Sequence, residues 1–359
     1  MTTVDGVDVV GSAAEAAALT RPPLIVLDSL EAWLDTTGLG AGPIELVSLP
    51  GGHSNVTMLL RRDGLEVVLR RPPRPPLPPG AHDILREARL LQGLQSTAVP
   101  VPRIIATCAS EVVMGAPFAI MEYVPGEVLG AALPPLLDAP EERRRAAEAF
   151  IDCLVGVHSV DVAAAGLDWL ARPGDYLERQ LRRFSGSWKI SRTRRLTAMN
   201  ELEHDLRASK PQHSVTTLIH GDARLGNAIF APEPPARVAA LLDWEMATLG
   251  DPLADIGYLA AAWTDRGQPD PPMFHLSPLT AAEGFPTLGQ LIAYYGERSG
   301  RAVDDLGWYT AFAYWKSAVF MEGNYRRALS GGSDDPFALG FRTGVEELAQ
   351  LGLAALRGR

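Results

Sequence analysis

The spacing of apolar residues changes character along this chain. In "IELVSLPGGHSNVTMLLRRDGLEVVLRR", Ile44 to Arg71, β-prone runs alternate with turn signals at Gly51-Gly52 and at Asp63-Gly64, a favoured hairpin turn. Three antiparallel strands are predicted. From Ala81 to Gln95 the apolar residues Ile84, Leu85, Ala88, Leu91 and Leu94 recur at helical spacing and predict an amphipathic helix. "RIIATCAS" and "PFAIMEYV" read as two further strands, and Pro125-Gly126 ends the second. Between the third strand and this helix "PPRPPLPP", Pro72 to Pro79, is an extended surface connection, because proline fits neither helix interior nor central strand. Ahead of this sheet lies a helix from about Leu27 to Thr37, preceded by a loose tail.

Beyond Gly126 the period becomes helical. Helices are expected at about Pro140 to Ser159, Pro173 to Phe184 and Ser191 to Ala208, then a short β insert holding "TLIHGDARLGNAIF" and the buried strand "RVAALLDWE". Four more helices, near residues 252–264, 287–298, 303–329 and 335–356, close the chain. The fold class is therefore α+β, with a tail at 1–26, a small antiparallel-sheet lobe with one sheet helix at 27–125, and a larger, mainly helical lobe at 126–359.

Composition narrows the functions available. With 359 residues, 47% of them hydrophobic, the chain can build large cores. A formal net charge of -10 argues against nonspecific binding to nucleic acid or to an anionic membrane. Cys108 and Cys153 lie far apart and lack metal-ligand spacing, as free buried thiols of a reducing cytoplasm do. No basic segment precedes an apolar stretch at the N-terminus and no run of about 18 apolar residues occurs, so neither export nor membrane spanning is expected.

The chemistry concentrates around residue 220. His220-Gly221-Asp222 follows an apolar strand, Asn227 lies five residues past Asp222, and Asp243 ends the next apolar strand. Two such strands side by side would bring these polar side chains to one edge. Phosphoryl transfer needs a carboxylate to orient the acceptor hydroxyl and oxygen ligands for Mg²⁺ on the nucleotide phosphates, and Asp222, Asn227 and Asp243 supply those parts. The kinase catalytic loop has the same H-x-D-x-x-x-x-N spacing, with a metal-binding Asp on the following strand. No G-x-G-x-x-G follows a strand, which disfavours a dinucleotide-binding dehydrogenase.

With "VVLRRPP", "MEYVPG", "YLERQLRRFSGSW", "HGDARLGN" and "LLDWEMATLGDPLADIGYL", the chain resembles the aminoglycoside phosphotransferase-like branch of the protein-kinase-like, two-lobed fold from about residue 27 onward. More narrowly it resembles the kinase-like domains fused to, or encoded beside, acyl-CoA dehydrogenases. The resemblance implies Asp222 as the catalytic aspartate, Asn227 and Asp243 as Mg²⁺ ligands on ATP or GTP, and Arg224 as a contact to the γ-phosphate or the acceptor. It makes Gly51 to Thr57, with Gly52, Ser54 and Asn55, the nucleotide-covering loop, and Glu122 and Val124 the hinge presenting backbone groups to the base. Gly221 stands where protein kinases carry an arginine. The third-strand lysine of those kinases is missing, since the first lysine is Lys189. Arg70 is the candidate replacement, with Glu87 as its partner; strand alternation points Arg71 away.

Each feature has a plainer reading beside it. Gly51-Gly52 also suits a bare hairpin loop, Arg70 and Glu87 an ordinary surface pair, and His220 a structural hydrogen-bonder. His158 reads as a cap or core histidine, Asp251 and Asp255 as a brace for the catalytic loop, and Trp308, Tyr309, Tyr314 and Trp315 as core or pocket walls. Residues 172–195 hold eight Arg or Lys against two Asp or Glu, which suits an anionic acceptor better than a cationic aminoglycoside, or else forms a solvated helix face. Arg179, Arg182 and Arg183 are the candidate acceptor contacts. The subfamily resemblance implies a hydroxyacyl-CoA or similar acid as acceptor and a functional link to an acyl-CoA dehydrogenase. The alternatives are an antibiotic kinase and a nucleotide-binding module without turnover.

Overall fold

The computed structural model describes residues 2–4, 7–49, 55–75, 77, 82–130, 132–212, 215–269, 278–330 and 337–358. The chain divides into two compact units, Met1–Pro125 with Ala240–Glu245, and Gly126–Ala239 with Met246–Arg359.

Instead of a loose tail, the N-terminal segment forms β1 (Thr2–Val4), β2 (Val7–Val10), α1 (Ala13–Ala17) and β3 (Ile25–Val26), and leads into α2 (Leu27–Thr37). β2 runs antiparallel to β1 and parallel to β3. The local signal for these strands is weak because they are only two to four residues long. Long-range contacts hold them: Val9, Leu24 and Ile25 are buried with Leu30 and Leu34 of α2, and Arg71 donates to the carbonyls of Leu24 and Met114.

The main sheet follows the predicted pattern, with β4 (Glu45–Ser48), β5 (Val56–Arg62), β6 (Leu65–Arg71), α3 (Ile84–Leu94), β7 (Ile104–Cys108) and β8 (Phe118–Glu122). The five strands are antiparallel in the order β4-β5-β6-β8-β7. Met58, Leu60, Leu69, Phe118 and Ile120 turn one face towards α2, while α3 packs on β7 and β8. Burial on both faces explains why β5 and β6 each contain three successive buried residues instead of a clean alternation.

The second unit comprises β9 (Glu127–Val128), α4 (Pro140–His158), α5 (Tyr176–Ser191), α6 (Thr197–Ala208), β10 (Thr217–Ile219), β11 (Ala228–Phe230), β12 (Val238–Leu241), β13 (Thr248–Gly250), α7 (Leu253–Ala261), α8 (Leu288–Ser299), α9 (Leu306–Leu329) and α10 (Phe337–Leu356); within β12 the chain passes into the first unit. The helix expected to stop at Phe184 continues to Ser191. Its buried stripe Leu177, Leu181, Phe184 and Trp188 keeps a four- and three-residue spacing past that point, and Asp175 caps its start by accepting from the Glu178 N–H at 2.7 Å. The core of this unit lies among α5, α6, α7, α9 and α10 and includes Trp308, Tyr309, Tyr314 and Trp315, which are buried. Gly257 lets α7 press onto α9, since a Cβ there would lie 2.5 Å from the Tyr309 carbonyl carbon.

One pairing differs from expectation. The strand before His220 does not lie beside the strand ending at Asp243; β10 pairs antiparallel with β13, through Leu218 and Leu249. Strand partners with similar apolar content are not distinguishable by local pattern, and three-residue strands carry little register information.

Candidate functional site

In the first unit the side chains predicted to face a nucleotide form a charged network. Arg70, at the end of β6, donates from Nε to Glu87 Oε2 at 3.0 Å and from Nη2 to Asp243 Oδ1 at 2.8 Å, with Thr57 Oγ1 3.3 Å from Nη1. Glu87 is buried in α3, and its other oxygen accepts the Trp244 N–H at 3.3 Å. The arginine's planar fork reaches the two acids from two different nitrogens, Nε and Nη2. Burial pulls the Arg70 guanidinium towards neutrality, but Glu87 and Asp243 outweigh it and hold its pKa above the usual value. Asp243 itself takes a left-handed backbone, φ 63°. No described donor reaches its Oδ2. Arg71 points the other way, as alternation requires; burial and Arg74 push its pKa down to about 10.

Asn55 is buried and tied between His82 Nδ1, 3.0 Å from its Oδ1, and Glu245 Oε2, 3.5 Å from its Nδ2. Gly52 and Ser54 lie outside the described residues. At the hinge, the Glu122 N–H already donates to the Arg103 carbonyl at 2.8 Å, whereas no described residue engages the Val124 N–H or C=O. Of the two expected hinge positions, Val124 is the one whose backbone groups have no partner among the described residues.

In the second unit the loop after β10 is built around Asp255 of α7, which is fully buried. Its two oxygens accept the His220 and Gly221 N–H groups at 2.7 Å each, and His158 Nε2 lies 3.1 Å from Oδ2. Burial raises the Asp255 pKa, but the His158 hydrogen bond and the nearby His158 and His220 rings prevail and hold it below the carboxylate norm. Gly221 has φ 87°, and a Cβ there would sit 2.6 Å from the Met246 carbonyl oxygen. An arginine at this position would meet backbone, which accounts physically for the glycine. Asp251 anchors the same helix start, accepting from Tyr309 Oη at 2.9 Å and the Leu253 N–H at 2.9 Å.

On this brace the polar side chains of the loop take fixed positions. Asn227 Nδ2 donates to Asp222 Oδ2 at 2.7 Å and to the Asp222 carbonyl at 2.8 Å. Arg224 Nε stands 3.6 Å from the same carboxylate oxygen. Among the described residues no donor reaches Asp222 Oδ1 or Asn227 Oδ1. Gly226 makes room for Arg224, whose Nη1 would lie 2.4 Å from a Cβ there.

The three acceptor candidates on α5 differ. Arg179 is spent on the preceding loop, donating to the carbonyls of Arg172, Pro173 and Gly174. Arg182 is exposed, with Glu178 3.9 Å away, and Arg183 lies over the Phe184 ring at 5.7 Å. Between α5 and α6 a pocket of about 260 Å³ is lined by Trp188, Arg192, Arg194, Arg195, Thr197 and Asn200. Arg194 pairs with buried Glu322 at 2.9 Å, while Arg192 and Arg195 have no acidic partner among the described residues. Sequence reasoning passed over Lys316 on α9, buried on the Phe184 and Phe312 rings at 5.4 and 5.5 Å. Its signal was available: a lone lysine inside the apolar run "AFAYWKSAVF".

A profile of the phosphotransferase enzyme family, APH, matches residues 45–277. The chain belongs to that family. It is 35% identical to mouse acyl-CoA dehydrogenase family member 10 over 90% of its length and 30% identical to human acyl-CoA dehydrogenase family member 11 over 90%. It covers only 30% and 42% of those two relatives. Among solved structures, a candidate aminoglycoside phosphotransferase from Ralstonia eutropha superposes with a TM-score of 0.78 at 33% identity, covering 92% of this chain and 98% of that one. The fold of this phosphotransferase is thus protein-kinase-like and α+β. Among the described residues no helix is long and apolar enough to cross a membrane.

Proposed function

We propose that this phosphotransferase moves the γ-phosphoryl group of ATP or GTP to the hydroxyl of a small acidic molecule of the hydroxyacyl-CoA type. The observation that carries the reading is the Asp222–Asn227 pair. The Asn227 amide fixes one carboxylate oxygen of Asp222 and leaves the other open to an acceptor hydroxyl. Asp222 Oδ1 would accept that hydroxyl's hydrogen bond and hold its oxygen in line with the γ-phosphorus. Asn227 Oδ1 and Asp243 Oδ2, both oxygens without a described donor, suit Mg²⁺, a hard ion that prefers oxygen ligands. When bound, that ion neutralises charge on the phosphates. Arg70 lends positive charge to the phosphates, Arg224 to the γ-phosphoryl group or acceptor, and the Val124 backbone groups serve the base.

Support for an acidic acceptor comes from the basic run 172–195 on a chain of net charge -10, and from Arg192 and Arg195, which have no acid partner among the described residues. Relatives bearing an acyl-CoA dehydrogenase name support a functional link to such an enzyme, and two buried free thiols support a reducing, cytoplasmic setting. The name of the Ralstonia protein favours a second reading, an antibiotic kinase of the same chemistry. Both are tested by one screen: ADP release with hydroxyacyl-CoAs, aminoglycosides and sugars, with Asp222→Ala as the blank. The expected result is turnover with hydroxyacyl-CoAs that falls by roughly 10²- to 10⁴-fold in the blank. Activity surviving in Asp222→Ala would remove the role given to that carboxylate.

A further inference from the structure

The second unit buries a cation that the chemistry above does not use. Lys316 is 9% exposed, in the middle of α9. Its ammonium lies against two aromatic faces, Phe184 of α5 at 5.4 Å and Phe312 of α9 at 5.5 Å, and no described carboxylate or carbonyl accepts a hydrogen bond from it. The acids whose charge it feels are Asp255 and Asp222, and the cation is Arg183. One is committed to the loop brace and one is the catalytic candidate. Burial pushes the lysine down to about 8, against the pull of Asp255 and Asp222, with Arg183 adding to the push. A buried ammonium without an acceptor is unfavourable unless something else completes it.

We propose that Lys316 is an acceptor-binding residue whose ammonium, seated on the Phe184 and Phe312 rings, takes the acyl oxygen of the acceptor. This deepens the phosphotransferase reading and rests on it. A hydroxyl near an acyl oxygen would then be oriented towards Asp222 by a contact that sugars and diols cannot make. The acyl oxygen belongs to a carboxylate or to a thioester; both present the same acceptor to an ammonium.

The chain has only three lysines, Lys189, Lys210 and Lys316, so amine-specific acylation can be followed residue by residue by mass spectrometry. At pH 8.5 on the full chain, 3-hydroxybutyrate or 3-hydroxybutyryl-CoA should slow labelling of Lys316 at least fivefold, 1,3-butanediol should not, and Lys189 and Lys210 should be unaffected. Protection by only one of the two acyl compounds identifies which form is bound. Equal labelling with and without both compounds overturns the proposal. So does failure of Lys316 to label at any pH, since a lysine closed to a small reagent is closed to an acyl oxygen. In the ADP-release screen, Lys316→Met should raise the acyl acceptor's KM tenfold or more with nucleotide KM unchanged, and Lys316→Arg should recover part of it. An unchanged acceptor KM in Lys316→Met sinks the idea. Protection in a protein without turnover would instead separate a failed phosphotransferase reading from a correct binding one.

Discussion

Two cations, a partly buried Arg70 in the first unit and a buried Lys316 in the second, are housed in opposite ways. Arg70 meets two carboxylates and a hydroxyl; Lys316 meets two aromatic rings and, among the described residues, no acid within hydrogen-bond reach. The charge of Arg70 is balanced within the protein, so its guanidinium is held in one place and its pKa is raised. For Lys316 the balance is incomplete and its pKa is lowered. The contrast teaches that burial alone says little about a cation's role. What matters is whether the protein itself completes its electrostatics or leaves that to a ligand.

Removing each cation should therefore shift stability in opposite directions. The largest effect is expected for Arg70→Met, which leaves Glu87 and Asp243 uncompensated. Urea unfolding should show a loss of about 3–5 kcal/mol. A loss below about 1 kcal/mol would mean the pair is only a surface contact, and the comparison would fail. Lys316→Met should stabilise at neutral pH by about 1–3 kcal/mol, as replacing a buried charge with an apolar side chain does. That gain has a pH signature. Folding lowers the lysine's pKa from 10.5 to about 8. Below pH 8 both folded and unfolded chains carry the charge and the penalty is full. Between 8 and 10.5 the unfolded chain holds the extra proton, so wild-type stability rises with pH and the advantage of Lys316→Met fades. Unfolding curves at pH 7, 9 and 10.5 measure this, and a gain independent of pH would contradict it. The smallest effect belongs to the flanking arginines. Arg183→Glu should raise the acceptor's KM a few-fold by exchanging a neighbouring cation of Lys316 for an acid. Arg182→Glu, at an exposed and screened position, should change it less than twofold. Equal effects would blur the distinction drawn on α5.

Much of the architecture was legible because it rests on local period. Helices α3, α4, α7, α8, α9 and α10 lie close to where apolar spacing puts them, and so do the strands from β4 to β8. Asp255 braces the loop after β10, as carboxylates at that helix start suggested, and His158 is a core histidine in contact with it. The N-terminal sheet was not legible, because its strands gain partners only through residues such as Leu24 and Arg71, 47 positions apart. Nor was the partner of β10, since a three-residue strand offers no pattern that prefers one neighbour. Arg179 looked like a ligand-facing cation but is consumed by carbonyls of its own approach loop, a turn geometry no composition reveals.

By itself the sequence determined the identities and spacing of the chemistry: the acid, amide and second acid of residues 222, 227 and 243, an arginine where a lysine is usual, and the order of sheet and helices. These depend on neighbours a few residues away along the chain. Tertiary structure alone decided which charges are balanced. Arg70 reaches an acid 173 residues distant, while Lys316 is surrounded by rings and left for another group to satisfy. Electrostatic completion depends on distance and burial in space, and neither is written in the order of residues.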